Sequence, residues 1–394
     1  MTDSGRCPHR QAARPGRTDA RSRYPWRRGA GPLALLLASL LVVPGFAGGA
    51  EGAPAAGAPD GPPPAQPPRW PGPFLERIAQ LDQRMPGRLG VYVKDLESGL
   101  VASYRGDERW YLASMVKVPV AIAVLRRVEA GTLALDTRVR LLASDYVDGA
   151  GPTNRHPPGT SLEVRYLLEQ MLVHSDNTAS DLLIRLVGIE AVNQVTHALV
   201  PEGFGPITSL ADVRRQVYGQ VHPGAGRLSG QDFLALRRQP DDTARVALLA
   251  RLLAVPPRAL APISLAEAYE RYYAMSLNSG RLSAYAELLG ALQEGRALSP
   301  EATDYLLGVM RRAQTGAARI RAGLPATAGF AHKTGTQRAR ICDAGIVEPQ
   351  AAARGARPGV VVVACVRDAP TLAAAERALR GTGETLVGVG LVAR

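Results

Sequence analysis

The period of the apolar positions changes along the chain. Pro73–Met85 (PFLERIAQLDQRM) reads as a short helix. Leu89–Asp95 and Val101–Arg105 read as two strands around the turn Glu97-Ser98-Gly99. From Ser114 to about Glu129 (SMVKVPVAIAVLRRVE) apolar residues lie on every side, the pattern of a buried helix. Pro119 falls in its early turns, where proline is tolerated. Leu162–Val173 predicts a helix that ends just before His174-Ser175-Asp176-Asn177, and Thr178–Val187 begins the next. Residues 200–262 read as irregular, with RRQPDDTARVALLARLL as a surface helix within them. Short helices are expected over 263–314. Strand character returns at Ala328–Thr334, Arg340–Val347 and Gly359–Val366, before a final helix at Leu372–Leu379. No internal repeat is visible. Two ends that share one sheet around a helical middle predict a two-lobed α/β (α+β) enzyme with a cleft between its lobes.

The first 73 residues change the picture of how much chain folds. Residues 1–28 carry eight arginines, Leu33 to Val43 is apolar, and Phe46-Ala47-Gly48-Gly49-Ala50 is small-residue-rich. That order predicts a secretory signal over 1–50, cleaved after Ala50, and a periplasmic or secreted protein. An uncleaved N-terminal anchor is the alternative, although Pro32, Pro44 and glycines interrupt the apolar run. Residues 51–73 are Ala/Gly/Pro-rich and predict a tether. The folded domain is then expected over 74–394, with a helical lobe at about 110–315. Half of the formal charge of +12 lies in residues 1–50. The remainder is spread thinly without a basic tract, which disfavours nucleic acid as a partner. Six histidines form no HExxH pattern, so neither a metal nor another cofactor is expected. Cys342 and Cys365 lie in strand-like runs flanking one loop. A disulfide and two separate buried thiols both remain open.

The chain holds three lysines, Lys94, Lys117 and Lys333, among 47 basic residues. Two of the three stand in short motifs where an amine that can lose its proton is useful, which a guanidinium cannot do. Ser114-Met115-Val116-Lys117 is S-x-x-K, Ser175-Asp176-Asn177 is S-D-N, and Lys333-Thr334-Gly335 is K-T-G. On a helix, Ser114 and Lys117 share a face. A buried, neutral Lys117 could take the Ser114 proton and make it a nucleophile. Ser175 could relay a proton to a leaving nitrogen. Asn177 could hold substrate or the Lys117 side chain, and Asp176 reads as structural. Gly335 would let a substrate lie along the strand edge, and the Thr336 N–H is a second oxyanion donor beside that of Ser114. Each motif alone is weak: serine caps and solvated lysines are ordinary. The three together, in this order, are a strong signal.

With these motifs the chain resembles the class A β-lactamase-like branch of the penicillin-recognising serine hydrolases. The resemblance covers about 74–200 and 263–394, including WYLASMVKVPVAIAVL, PGTSLEVRYLLEQMLVHSDNTASDLLI and TGAARIRAGLPATAGFAHKTGT. It implies a β-lactamase/transpeptidase-like fold: a five-stranded antiparallel sheet flanked by helices, an all-helical lobe, and the active site between them. It also implies an acyl-enzyme mechanism without metal, and it leans to a monomer. By motif, Ser114 is the nucleophile, Lys117 the acylation base and Ser175 the relay. Asn177 contacts substrate, Lys333 and Thr334 bind its carboxylate, and Arg338 or Arg340 assists.

One departure stands out. Family β-lactamases carry Glu-x-x-x-Asn after S-D-N, and its glutamate activates the deacylating water. No glutamate occurs here from Gly203 through Ala266, and residues 215–262 are extra sequence. Asp212 with Gln216 is the nearest substitute. The plainer alternative is that Asp212 caps a helix starting at Val213. Three functions follow: a β-lactamase-type hydrolase, a penicillin-binding DD-peptidase or related amidase acting on peptidoglycan-like substrate with slow deacylation, and a non-catalytic β-lactam or cell-wall-fragment sensor.

Overall fold

The computed structural model describes residues 70–348 and 359–393. The expected signal segment and nearly all of the tether lie outside the described residues. The main sheet is antiparallel and five-stranded, in the order β2-β1-β9-β8-β7: β1 (Arg88–Asp95), β2 (Val101–Tyr104), β7 (Gly329–Gln337), β8 (Arg340–Glu348) and β9 (Val360–Arg367). Two-stranded ribbons pair β3 (Arg109–Tyr111) with β6 (Ser279–Arg281), and β4 (Arg138–Arg140) with β5 (Ser161–Glu163). None of these four short strands is legible as a periodic run, since three residues cannot establish a period.

Two helices cover the outer face of the sheet, α1 (Pro71–Gln83) and α12 (Leu372–Gly388). Proline at the start of α1 needs no hydrogen-bonded N–H there. Buried Trp70 packs edge-on against Phe74. The folded unit therefore begins before residue 74, and 70–73 are not tether. Helix α12 runs well past the expected Leu379. Glycines that look like stop signals are instead close approaches: a Cβ on Gly383 would meet the Ile320 carbonyl oxygen at 2.4 Å.

The helical lobe packs on the other face: α2 (Lys117–Glu129), α3 (Val164–Val173), α4 (Asn177–Val187), α5 (Ile189–Leu199), α6 (Leu210–Gly219), α7 (Gly230–Arg237), α8 (Asp242–Leu253), α9 (Leu265–Ala274), α10 (Leu282–Gln293) and α11 (Pro300–Arg311). Every residue of α2 from Lys117 to Leu125 is buried, as its all-round apolar pattern requires. The expected surface helix within 200–262 is present as α8, but the expectation that the rest is irregular is wrong: α6 and α7 occupy it too. The missed signal is capping. Ser209, Ser229 and Asp241 each accept a backbone N–H at a helix start, and Ser229 with Asp232 forms a reciprocal capping box. No helix among the described residues is long and apolar enough to cross a membrane.

Cys342 and Cys365 stand opposite each other on β8 and β9, with Cα atoms 4.1 Å apart, and form a disulfide. This closes the question the sequence leaves open.

Candidate active site

Three chain segments converge where the sheet meets the helical lobe. Ser114 sits on a 3₁₀ turn (Ala113–Val116) that leads into α2, rather than in the α-helix itself. Ala113 holds φ +50°, a conformation that L residues adopt only under constraint. The constraint comes from both sides. The Leu112 N–H donates to Asn278 O at 2.9 Å, and Tyr285 Oη donates to Met115 O at 2.9 Å. On the sheet side, a Cβ on Gly335 would lie 2.4 Å from Leu112 O. The glycine of K-T-G thus makes room for the chain's own Ser114 turn, a role that its place in the motif does not show.

Lys117 is fully buried at the head of α2. Its Nζ donates to Ser175 O at 2.6 Å, to Asn177 Oδ1 at 2.8 Å and to Ser175 Oγ at 3.3 Å. Burial lowers its pKa from 10.5 to about 7, against the opposing pull of Asp176 and Asp181. Lys333 on β7 is also fully buried, and its Nζ donates to Ser175 Oγ at 2.9 Å and to Thr334 O at 3.0 Å. Burial first, then the nearby Lys117 and Arg319, push its pKa well below the ordinary lysine value. The Ser175 hydroxyl is thus shared by two amines that hold their protons weakly. Ser175 itself has φ +59°. Asp176 fixes that turn: its Oδ1 accepts the Ala179 N–H and its Oδ2 the Thr153 N–H. Asn177 is committed at both ends of its amide, to Lys117 and, through Nδ2, to Asp148 O at 2.7 Å.

These groups open onto a crevice of about 740 Å³, lined by Ser114, Ser175, Asn177, Thr334 and Thr336 among others. Thr334 Oγ1 shares a 2.7 Å hydrogen bond with Thr315 Oγ1. Thr336 Oγ1 accepts from Arg319. Arg319, which stands outside the three motifs, is buried and also donates to Gly335 O and Cys342 O. It braces the K-T-G strand from behind.

The structure does not bring all the expected residues together. Arg338 lines the crevice, but Arg340 does not. Arg340 is held by Glu270 and Asp368 and lies over the Tyr273 ring. Asp212 and Gln216 also point elsewhere. Asp212 is the third residue of α6, where Ser209 Oγ donates to its Oδ2 and Arg215 to its Oδ1, and Gln216 is exposed. The capping residue is Ser209, so the alternative reading of Asp212 as the cap is corrected too. The face of α6 that looks into the crevice carries Arg214 and Tyr218, again four residues apart. Arg214 is ion-paired to Asp148, and both side chains are nearly buried. A two-residue offset in a 3.6-residue period decides which side chains reach the site, and sequence alone did not supply it.

A family model described as "Beta-lactamase enzyme family" matches residues 73–387. "Beta-lactamase L2" of Stenotrophomonas maltophilia is 38% identical over 111 residues, 28% of this chain and 36% of that protein. The chain thus spans little more than a third of the length of the first curated relatives it matches. A beta-lactamase structure from Sphaerobacter thermophilus superposes with a TM-score of 0.59 at 25% identity, covering 82% of this chain and 98% of that one. The acyl-enzyme complex of a PBP-A point mutant with penicillin G shares the fold, with a TM-score of 0.61 at 21% identity over 83% and 99% of the two chains. Matched over most of its length and folded as these structures are, the chain belongs to the beta-lactamase enzyme family.

Proposed function

We propose that this protein is a secreted serine hydrolase that opens the β-lactam amide through an acyl-enzyme on Ser114. The observation that carries the reading is the Ser175 hydroxyl held between two buried, weakly protonated amines, in the crevice that Ser114 also lines. In its neutral form Lys117 takes the Ser114 proton, and Ser114 Oγ attacks the lactam carbonyl. The N–H groups of Ser114 and Thr336 receive the oxyanion. As the C–N bond breaks, Ser175 passes a proton to the departing nitrogen and is resupplied by the amines behind it. Thr334, Thr336 and Lys333 take the substrate carboxylate. Asn177 holds Lys117 in place.

Deacylation is the weaker half. Among the described residues lining the crevice the one carboxylate is Asp148, and Arg214 occupies it. A water beside the ester therefore has no free carboxylate to activate it, which slows deacylation. This favours, as a second reading, a peptidase of the penicillin-binding kind whose natural acyl donor is a peptidoglycan-like peptide. Mass spectrometry of the intact protein after benzylpenicillin, with Ser114→Ala alongside, tests the shared core. A one-equivalent adduct absent from Ser114→Ala is expected; no adduct would remove the reading and leave a non-catalytic binder. A chromogenic cephalosporin then separates the two enzymes. Steady turnover marks the hydrolase, and a burst of one equivalent marks the peptidase.

A further inference from the structure

Five guanidinium groups line the crevice among the described residues, against the single carboxylate of Asp148. Their partners are unevenly shared. Arg214 is neutralised by Asp148, and Arg319 is spent on the β7–β8 backbone with Glu376 at 3.3 Å. At the far end Arg245 of α8 and Arg338, just past β7, divide one carboxylate between them: Asp242 Oδ1 accepts from Arg245 at 2.9 Å and Oδ2 from Arg338 at 2.5 Å. Arg237, exposed on the last residue of α7, has no ion-pair partner among the described residues. Two cations on one anion, plus one unpaired cation, leave an excess of about two positive charges at this end. A concave wall of one sign focuses potential on whatever enters.

We propose that this end of the crevice is a second anion site, formed by Arg237 and Arg338, and that the enzyme selects acyl donors carrying an acidic group in addition to the carboxylate seated at Thr334 and Thr336. The proposal rests on the acyl-enzyme reading for the first of those two sites. Strand β7 sets the span. Thr334 to Arg338 is four residues, or about 13 Å of extended chain, and the arginine side chains shorten the gap between the two anions. A β-lactam or peptide with a carboxylate on its acyl side chain has that reach. Helices α7 and α8 supply Arg237 and Arg245 to this end, which gives a role to the stretch that resemblance alone left as extra sequence.

The matched probes are benzylpenicillin and carbenicillin, which differ by one carboxylate on the side-chain α-carbon. Equilibrium binding to the full chain as Ser114→Ala is measured by calorimetry at low and high salt, so that no acylation intervenes. Carbenicillin is expected to bind about fivefold more tightly at low salt, the size of a partly screened ion pair, with the preference shrinking at high salt. Adding Arg237→Gln and Arg338→Gln brings the two affinities together. Arg238→Gln, one residue further along and outside the crevice, keeps the preference. Equal affinities, a preference for benzylpenicillin, no binding of either probe, or a preference that survives the double substitution in a protein with a parental melting temperature would each overturn the second site. Acylation of the Ser114 protein is read separately by mass. Adducts without a dianion preference remove the second site alone. A preference without adducts removes the acyl-enzyme reading and keeps the site.

Discussion

Burial sets the proton affinity of Lys117, and with it the pH at which the serine can be activated. The folded protein releases this proton near pH 7, whereas an exposed lysine holds it to about 10.5. Between those values the unfolded chain binds more protons, so stability rises with pH across the window. The cost of burying the amine is fully present below pH 7. Activity follows the same proton. Second-order acylation by benzylpenicillin is expected to climb tenfold per pH unit below about 7 and to level off above it. Lys117→Arg cannot form the neutral base and is expected to lose about 10²- to 10⁴-fold in acylation at pH 8. A flat profile from pH 5 to 9 would contradict the role. Sequence pointed to Lys117, Lys333 and Ser175 because only three lysines exist and two of them fall in motifs. It did not reveal that one hydroxyl bridges both amines, since that depends on the αL turn at Ser175 and on residues 158 apart meeting.

At the scale of elements, α6 decides what faces the acyl group, and α4 decides where α6 begins. Both oxygens of Asp181 on α4 accept the first N–H groups of α6, from Leu210 and Ala211, at 2.8 Å each. The carboxyl is buried, and burial lifts its pKa from 3.8 to about 6 despite those two donors. Between those values the folded protein binds more protons than the unfolded chain. This group therefore makes stability fall as pH rises from about 4 to 6. Asp181→Asn is expected to flatten that slope in urea titrations. Its amide nitrogen also faces a backbone N–H that has lost its acceptor, at a cost of about 1–3 kcal/mol. An unchanged slope would show that burial does not raise the Asp181 carboxyl pKa in the folded protein. Long elements were legible: α2 from its apolar girth, and β8 and β9 from β-rich runs that are almost wholly buried. Helices α6 and α7 were less so, because few apolar residues mark them and their starts are announced by capping side chains, whereas α8 lies inside the run that reads as a surface helix. The expectation that Asp212 and Gln216 face the site failed for a related reason: spacing fixes which residues share a face, not which way the face points.

At the scale of the molecule, the two lobes are not separable bodies. One buried cluster gathers α2, α3, α4 and α10 together with Cys342, Ala344 and Ile346 of β8. The other gathers α1 and α12 with Ile341 and Val347 of the same strand. Because β8 feeds both clusters, neither can come apart without exposing apolar side chains of the other. The hydrogen bond from Lys333 to Ser175 and the packing of Gly335 against Leu112 tie the lobes again at the crevice. The site is therefore assembled only when both clusters are intact, which is why its three motifs can lie so far apart in sequence. A protein built this way should unfold as one unit. Scanning calorimetry of the disulfide-bonded chain is expected to give a single transition whose calorimetric and van't Hoff enthalpies agree. Loss of Ser114 acylation by benzylpenicillin should follow the same midpoint. Two resolved transitions, or acylation lost well before the main one, would mean that the helical lobe melts on its own and that β8 does not couple the two cores.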